Sequence, residues 1–376
     1  MKIVSPTFEL TFNDVLLLPR KSDFTMIEDV KKTDLKTRIS KKLEIDIPIC
    51  SSPMSHVTEV NMAIAMGKLG GIGFVHCFMS PEKQLYQVKE IKKNKVKVAV
   101  SVSDFSKAGL KHVGHLLKLG TDLICIETAH GFNIQTIDFL KQIKTNYPNS
   151  QVCVSLVVTG EATRALIKAG ADSIRVGIGG GSHCTTRLIT GVGRPQLSAI
   201  KECYLAAKKH GVPIISDTGI EHAGDIAKAL AFGADEVMIG GLFTATKETP
   251  GDLIRKKNRV YKFSAGMCSD QSQHKNSIDP RQIFHKTKDV IKRILYLNEN
   301  NSDFVSPYKI PFKFTHEGVS SLIPYKGSVV SIFNELTGGL RRSMWYLGCK
   351  NISEIKRKSQ VVIVSPSTQK DNVPRI

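Results

Sequence analysis

The feature that most constrains this chain is an alternation repeated eight times. Short, continuous, β-branched apolar runs take turns with amphipathic stretches of helical period. The runs are Ile47–Ser51, Gly71–His76, Val96–Val102, Leu123–Glu127, Gln151–Ser155, Ser173–Gly177, Pro213–Asp217 and Glu236–Ile239. Between them, stretches such as Pro81–Lys93, Asn133–Lys144, Glu161–Ala169 and Gly224–Phe232 carry apolar residues along one helical face. A strand that is apolar throughout is buried on both faces, as in a parallel sheet covered by helices. Eight such units, mostly about 20–30 residues apart, predict a closed (β/α)8 TIM barrel rather than an open doubly wound sheet. Barrels of this type run past about 250 residues as one unit. The 376 residues are therefore read as a single catalytic domain, 1–376. The interval between the sixth and seventh runs is the longest, at roughly 40 residues, and a stretch that long in a barrel marks a functional loop. It holds the sequence Gly-Gly-Gly-Ser-His-Cys-Thr-Thr-Arg, residues 179–187.

Beyond residue 250 the character changes. Lysine, asparagine and serine become frequent, and residues 256–316 read as a long insert, a mobile flap over the barrel. A more regular C-terminal extension follows from Gly318 to Ser353, and residues 365–376 read as a loose polar tail. With 41% hydrophobic and 23% charged residues the composition is that of a soluble globular protein. No apolar run is long enough for a membrane span. The opening residues, Met1 to Pro6, lack a signal-peptide pattern, so a cytoplasmic location is expected.

Eight cysteines are scattered with no Cys-x-x-Cys pair, which argues against a disulfide framework and a thiolate zinc site. Most lie in apolar runs, as Cys125 does in Leu-Ile-Cys-Ile, and read as small core hydrophobes. Cys184 differs, being surrounded by glycines and hydroxyl residues. The net charge is +19, from 53 basic and 34 acidic residues. The lysines are spread along the whole chain without a basic arm, so no specific nucleic-acid partner is expected. Such a surface attracts small anions such as nucleotides.

Function in a barrel sits at the C-terminal ends of the strands. Those ends read Ser52-Pro53-Met54, Glu127-Thr128-Ala129-His130-Gly131, the Cys184 loop from Gly177 to Arg187, Asp217-Thr218-Gly219-Ile220, and Gly240-Gly241-Leu242-Phe243. Glycine loops after the seventh and eighth strands are a frequent phosphate site, since bare backbone N–H groups reach a dianion there. They equally suit simple turns. Asp217 is placed to accept from two ribose hydroxyls, or else to cap the helix that follows. Cys184 is a soft nucleophile on a glycine loop or a buried structural thiol. His183 is a candidate base, although neighbours in sequence usually point apart.

These motifs resemble the inosine-monophosphate dehydrogenase / GMP reductase family over residues 8–250 and 316–366. The resemblance rests on Phe12-Asn13-Asp14-Val15-Leu16-Leu17-Leu18-Pro19, Ser52-Pro53-Met54, Gly70-Gly71-Ile72-Gly73-Phe74-Val75-His76, and the cysteine loop through Gly193-Arg194-Pro195-Gln196. It continues in Ser216-Asp217-Thr218-Gly219-Ile220 and in Glu317-Gly318-Val319 leading to Pro324-Tyr325-Lys326-Gly327. It implies that Cys184 attacks C2 of a purine nucleoside monophosphate, with Thr186 and Glu317 moving protons. It implies that Asp217 holds the ribose, that Ser182, Gly219, Gly240 and Gly241 hold the phosphate, and that Gly266 and Met267 touch the base. Ser52 and Met54 join the substrate side, and Glu127, Thr128 and Gly177 the cofactor side. Carbonyls of Gly179, Gly181 and Cys184 match the family's potassium loop. The implied cofactors are NAD or NADP and a potassium ion, and the implied assembly is a homotetramer.

The departures bear on the direction of the reaction. The family's regulatory CBS module is absent, since Lys92-Lys93-Asn94 leads straight to the third strand. The dehydrogenase flap carries an Arg-Tyr pair. The matching stretch here, Ser302-Asp303-Phe304-Val305, has none, and neither Arg281 nor Arg293 is assignable to it. Glu127 replaces a family aspartate, and Leu156 an asparagine. The first expectation is the dehydrogenase, IMP to XMP with NAD. The alternatives are a GMP reductase using NADPH, a divergent enzyme on another purine nucleotide, and a catalytically weak nucleotide-binding regulatory protein.

Overall fold

The computed structural model describes residues 8–267 and 317–368. Eight parallel strands close into a barrel. In chain order they are β1 (Ile49–Ser51), β2 (Ile72–Val75), β3 (Val98–Val102), β4 (Leu123–Ile126), β5 (Val152–Val157), β6 (Ser173–Val176), β7 (Ile214–Asp217) and β8 (Glu236–Ile239). Each pairs with its sequence neighbours, and β8 returns to β1 through Val237 opposite Ile49 and Ile239 opposite Ser51. The helices that follow the strands are α1 (Val60–Lys68), α2 (Pro81–Lys93), α3 (Lys107–Lys118), α4 (Ile134–Asn146), α5 (Gly160–Ala169), α6 (Gln196–Ala207), α7 (Ala223–Phe232) and α8 (Val329–Leu347). The predicted (β/α)8 barrel is therefore present.

Two apolar layers explain why the strands read as continuous runs. Cys50, Phe74, Ala99, Cys125, Cys153, Ile215 and Met238 fill the barrel interior. Alternate residues such as Val75, Val100, Ile124, Val154 and Ile174 pack outward with the helices. Helix starts follow local chemistry. Ser80 caps α2 by accepting from the Lys83 amide with Pro81 at the first position, and Thr159 caps α5 through the Ala162 amide. Cys125, read as core, is buried, as are Cys50, Cys153, Cys203 and Cys349, whereas Cys77 is half-buried.

After β8 the chain adds an antiparallel sheet: β9 (Ile254–Lys256), β10 (Arg259–Ala265) and β11 (Ser320–Pro324). Ala265 faces Ser320 and Tyr261 faces Pro324, so the described ends of the 256–316 insert lie side by side. The expected flap residues 302–305, with Arg281 and Arg293, lie outside the described residues, as does the tail from 369 onward. Strand Val361–Ile363 pairs antiparallel with Val15–Leu17, fastening the C-terminal extension to the N-terminal segment. Among the described residues, no helix is long and apolar enough to cross a membrane.

Candidate active site

A cavity of about 1030 Å³ opens at the C-terminal ends of the strands. That size suits a nucleotide with part of a second ligand beside it. Two glycines shape its floor. Gly177 leaves β6 at φ +148°, and a Cβ there would lie 1.9 Å from the carbonyl oxygen of Asp217. Gly179, at φ +78°, makes room for Arg187, whose Cγ would lie 2.4 Å from an added Cβ. Arg187 in turn braces the loop: its Nε donates to the carbonyl of Ile178 at 3.0 Å, and its other terminus to that of Arg194.

Cys184 is half-buried on this loop, its Sγ 3.1 Å from the Thr186 hydroxyl. The loop is stitched to a distant segment by a short antiparallel bridge, Cys184 opposite Gly318. The Thr185 amide donates to the Glu317 carbonyl at 3.0 Å, and the Val319 amide to the His183 carbonyl at 2.9 Å. Glu317 thus lines the same cavity as Cys184 and Thr186 although more than a hundred positions separate it from them in the chain. Gly266 and Met267 line it beside them; an added Cβ on Gly266 would meet the His183 carbonyl at 2.9 Å. His183 itself is buried, and burial, with the nearby Lys326 charge, pushes its imidazole pKa down. Its Nδ1 sits 3.1 Å from the Ser182 hydroxyl.

Opposite the thiol lies a buried charge cluster that the sequence reading missed. Arg175, from β6, is 1% exposed. Its Nε and one terminal nitrogen both bond a single carboxylate oxygen of Asp217, at 3.1 and 2.6 Å. Its other terminal nitrogen bonds the Glu127 carboxylate and, at 2.9 Å, the Ser155 hydroxyl. One guanidinium, almost wholly buried at the cavity wall, thus lies between two carboxylates. Burial, reinforced by the neighbouring acidic groups and opposed by Arg175, raises the Glu127 carboxyl to about 8. Asp217 therefore caps no helix. One of its oxygens is engaged by Arg175, and its other oxygen accepts nothing among the described residues.

The cavity wall after β7 and β8 is rich in free donors. The amides of Gly219, Ile220, Gly241 and Leu242 donate to none of the described residues. Gly219 sits at φ +80° and follows Thr218 at φ +92°, a costly conformation for a β-branched residue. Ser182 lies against Gly241, its Oγ 2.6 Å from where a Cβ would be, and Met54 and Ser52 lie against Gly240 in the same way. Such a nest of amides with a hydroxyl is the chemistry that holds a phosphate dianion. Thr128 and Leu156 line the far side with Glu127, as does Cys77, whose thiol burial pushes up to about 12.

The loop also carries carbonyl oxygens. The carbonyls of Gly179 and Cys184 accept no hydrogen bond from the described residues, and that of Gly181 accepts one from the Cys184 amide at 2.9 Å. Among the described residues no cluster of His, Cys, Asp and Glu forms a metal site of the side-chain kind.

The fold and cavity define a (β/α)8 barrel whose cysteine loop lines one cavity together with a wall of unpaired backbone amides. The chain belongs to the IMP dehydrogenase / GMP reductase family, whose domain model matches residues 9–375. The inosine-5'-monophosphate dehydrogenase of Borreliella burgdorferi is 35% identical to it over 97% of this chain and 96% of its own length. That of Cryptosporidium parvum is also 35% identical, over 95% of this chain and 92% of its own. That of Aquifex aeolicus is 28% identical, over 95% and 93%.

Proposed function

We propose that the protein oxidises IMP at C2 to XMP with NAD, and that Cys184 is the nucleophile. The observation that carries this reading is the Cys184–Gly318 bridge, which sets the thiol, the Thr186 hydroxyl and Glu317 around one cavity. The dehydrogenase names of the similar proteins support the direction of the reaction, and the reductase alternative is not favoured.

In this reading the Cys184 sulfur forms a bond to C2 as the thiol proton leaves to solvent or a nearby base. NAD supplies the acceptor for the hydride that leaves C2 with its electron pair, so the purine carbon is oxidised and the nicotinamide reduced. Water then adds to C2 of the thioimidate, Thr186 and Glu317 take its proton, and the C–S bond breaks to release XMP and the thiol. Asp217 orients the ribose through the oxygen that Arg175 leaves free. The amides of Gly219 and Gly241, with Gly240 and the Ser182 hydroxyl, take the phosphate; Gly266, Met267, Ser52 and Met54 bound the nucleotide. Glu127, Thr128 and Gly177 face the cofactor. A potassium ion would be held by carbonyls of Gly179, Gly181 and Cys184, fixing the loop. A single catalytic domain, a homotetramer and a cytoplasmic location complete the proposal.

The test follows reduced nicotinamide by absorbance with IMP and NAD, and separately with GMP and NADPH. A rise in the first and no change in the second is expected. Cys184→Ala should lower turnover by about a thousandfold or more. Activity only on GMP, or Cys184→Ala turning over like the parent, overturns the assignment.

A further inference from the structure

The phosphate wall lacks a formal positive charge in every residue assigned to it so far: the amides and the Ser182 hydroxyl are neutral. A nucleoside monophosphate carries nearly two negative charges at neutral pH. Arg175 cannot supply the missing cation, because Glu127 and Asp217 already occupy it. Among the described residues lining the cavity, Lys326 is a cation with no carboxylate partner.

We infer that Lys326 is the phosphate-neutralising residue of this site, a role that rests on the purine-nucleotide reading above. Its Nζ donates to the carbonyls of Gly241 and Leu242, at 3.0 Å each. Two of three ammonium hydrogens are thereby held, and the third remains for a ligand. Those carbonyls belong to the residues whose amides are free, and Ser182 lies against Gly241. The charge is therefore tethered at the anion cradle. The backbone around it is held as well. The Lys326 amide donates to the Ala245 carbonyl at 3.0 Å, and the Lys247 amide to the Gly327 carbonyl at 2.7 Å. Glu248 caps α8 through the Ser328 hydroxyl at 2.7 Å and the Val329 amide at 2.8 Å. Glu248 is thus spent on the helix start, and the lysine pairs with carbonyls rather than a carboxylate. The site selects for a dianionic ligand: a nucleoside without its phosphate leaves the ammonium with carbonyls alone.

Calorimetric titration of the full chain with IMP, inosine and inorganic phosphate tests this, using Lys326→Met and Lys326→Arg. Lys326→Met should weaken IMP and inorganic phosphate by roughly ten- to a hundredfold, the loss of one charge-assisted hydrogen bond, and leave inosine within about threefold. Lys326→Arg should recover most of the affinity. Equal affinity of Lys326→Met and parent for phosphate and IMP overturns the inference, as does an equal loss for IMP and inosine, which marks a structural role. Should the parent produce no reduced nicotinamide from IMP, the functional reading fails by that measurement. The phosphate titration still judges Lys326 alone.

Discussion

Arg175 is an almost fully buried cation with two carboxylates against it. Three charges at such distances cannot all ionise at no cost, and Glu127, held by one nitrogen rather than two, is the group that yields. Its folded pKa rises from the ordinary 4.5 to about 8. Over the window between those values the folded state keeps a proton that the unfolded chain has released. The stability tied to that proton is complete below about pH 4.5 and is lost progressively as pH rises toward about 8. Glu127→Gln keeps an acceptor for Arg175 and removes the titration. The unfolding free energy from urea titration should therefore fall with pH in the parent relative to Glu127→Gln, by up to a few kcal/mol across that window. Parallel curves for the two proteins would remove the buried proton from the account. Cys184 and Asp217 stood out in the sequence as candidates because one lies on the glycine loop after β6 and the other ends β7. Arg175 was not singled out, because it sits inside the apolar run Ser173–Val176 and its partners, Asp217 of β7 and Glu127 just after β4, are far from it in sequence. Only closure of the barrel brings them together.

Among the strands, β8 carries the largest local contradiction. Its first residue, Glu236, is fully buried inside the barrel, and neither carboxylate oxygen has a partner among the described residues. Burial lifts its pKa well above the usual carboxylate range, so the acid stays neutral but unpaired. Glu236→Met, similar in volume and without polar oxygens, should stabilise the protein by about 1–3 kcal/mol at neutral pH. Chemical denaturation measures this, and a destabilised variant would mean that the glutamate has a buried partner such as water. The strands themselves were readable to within a residue or two because each is apolar on both faces. The exception is β5, which continues to Val157 past a register shift between Val154 and Val157. Helix starts were readable from their caps. The sheet of β9, β10 and β11 was not, since its pairing joins segments on either side of the 268–316 stretch, and its exposed strands alternate weakly.

For the molecule as a whole, charge is the property with no local explanation. A net +19 creates a field that no single residue accounts for, and the sequence could say only that it is diffuse. The barrel gives that field a focus, because its cavity holds free amides and Lys326 at the end where strands terminate. A dianion approaching this mouth is attracted by the whole surface at low salt, whereas at about 0.1 M salt charges beyond roughly 10 Å are screened. The apparent affinity for IMP should therefore fall several-fold between about 25 and 250 mM sodium chloride at fixed potassium. Inosine, which is neutral, should bind with the same affinity throughout. The comparison separates long-range attraction from contact: in Lys326→Met the affinity drops at every salt concentration, but the slope contributed by the remaining charges persists. If instead the parent's IMP affinity is flat with salt, the surface charge plays no part in substrate capture and the local cradle acts alone. The same measurement bears on nucleic acid. Binding drawn only by diffuse charge disappears over this salt range, whereas a duplex or single strand that still competes with IMP at 250 mM would have a specific site.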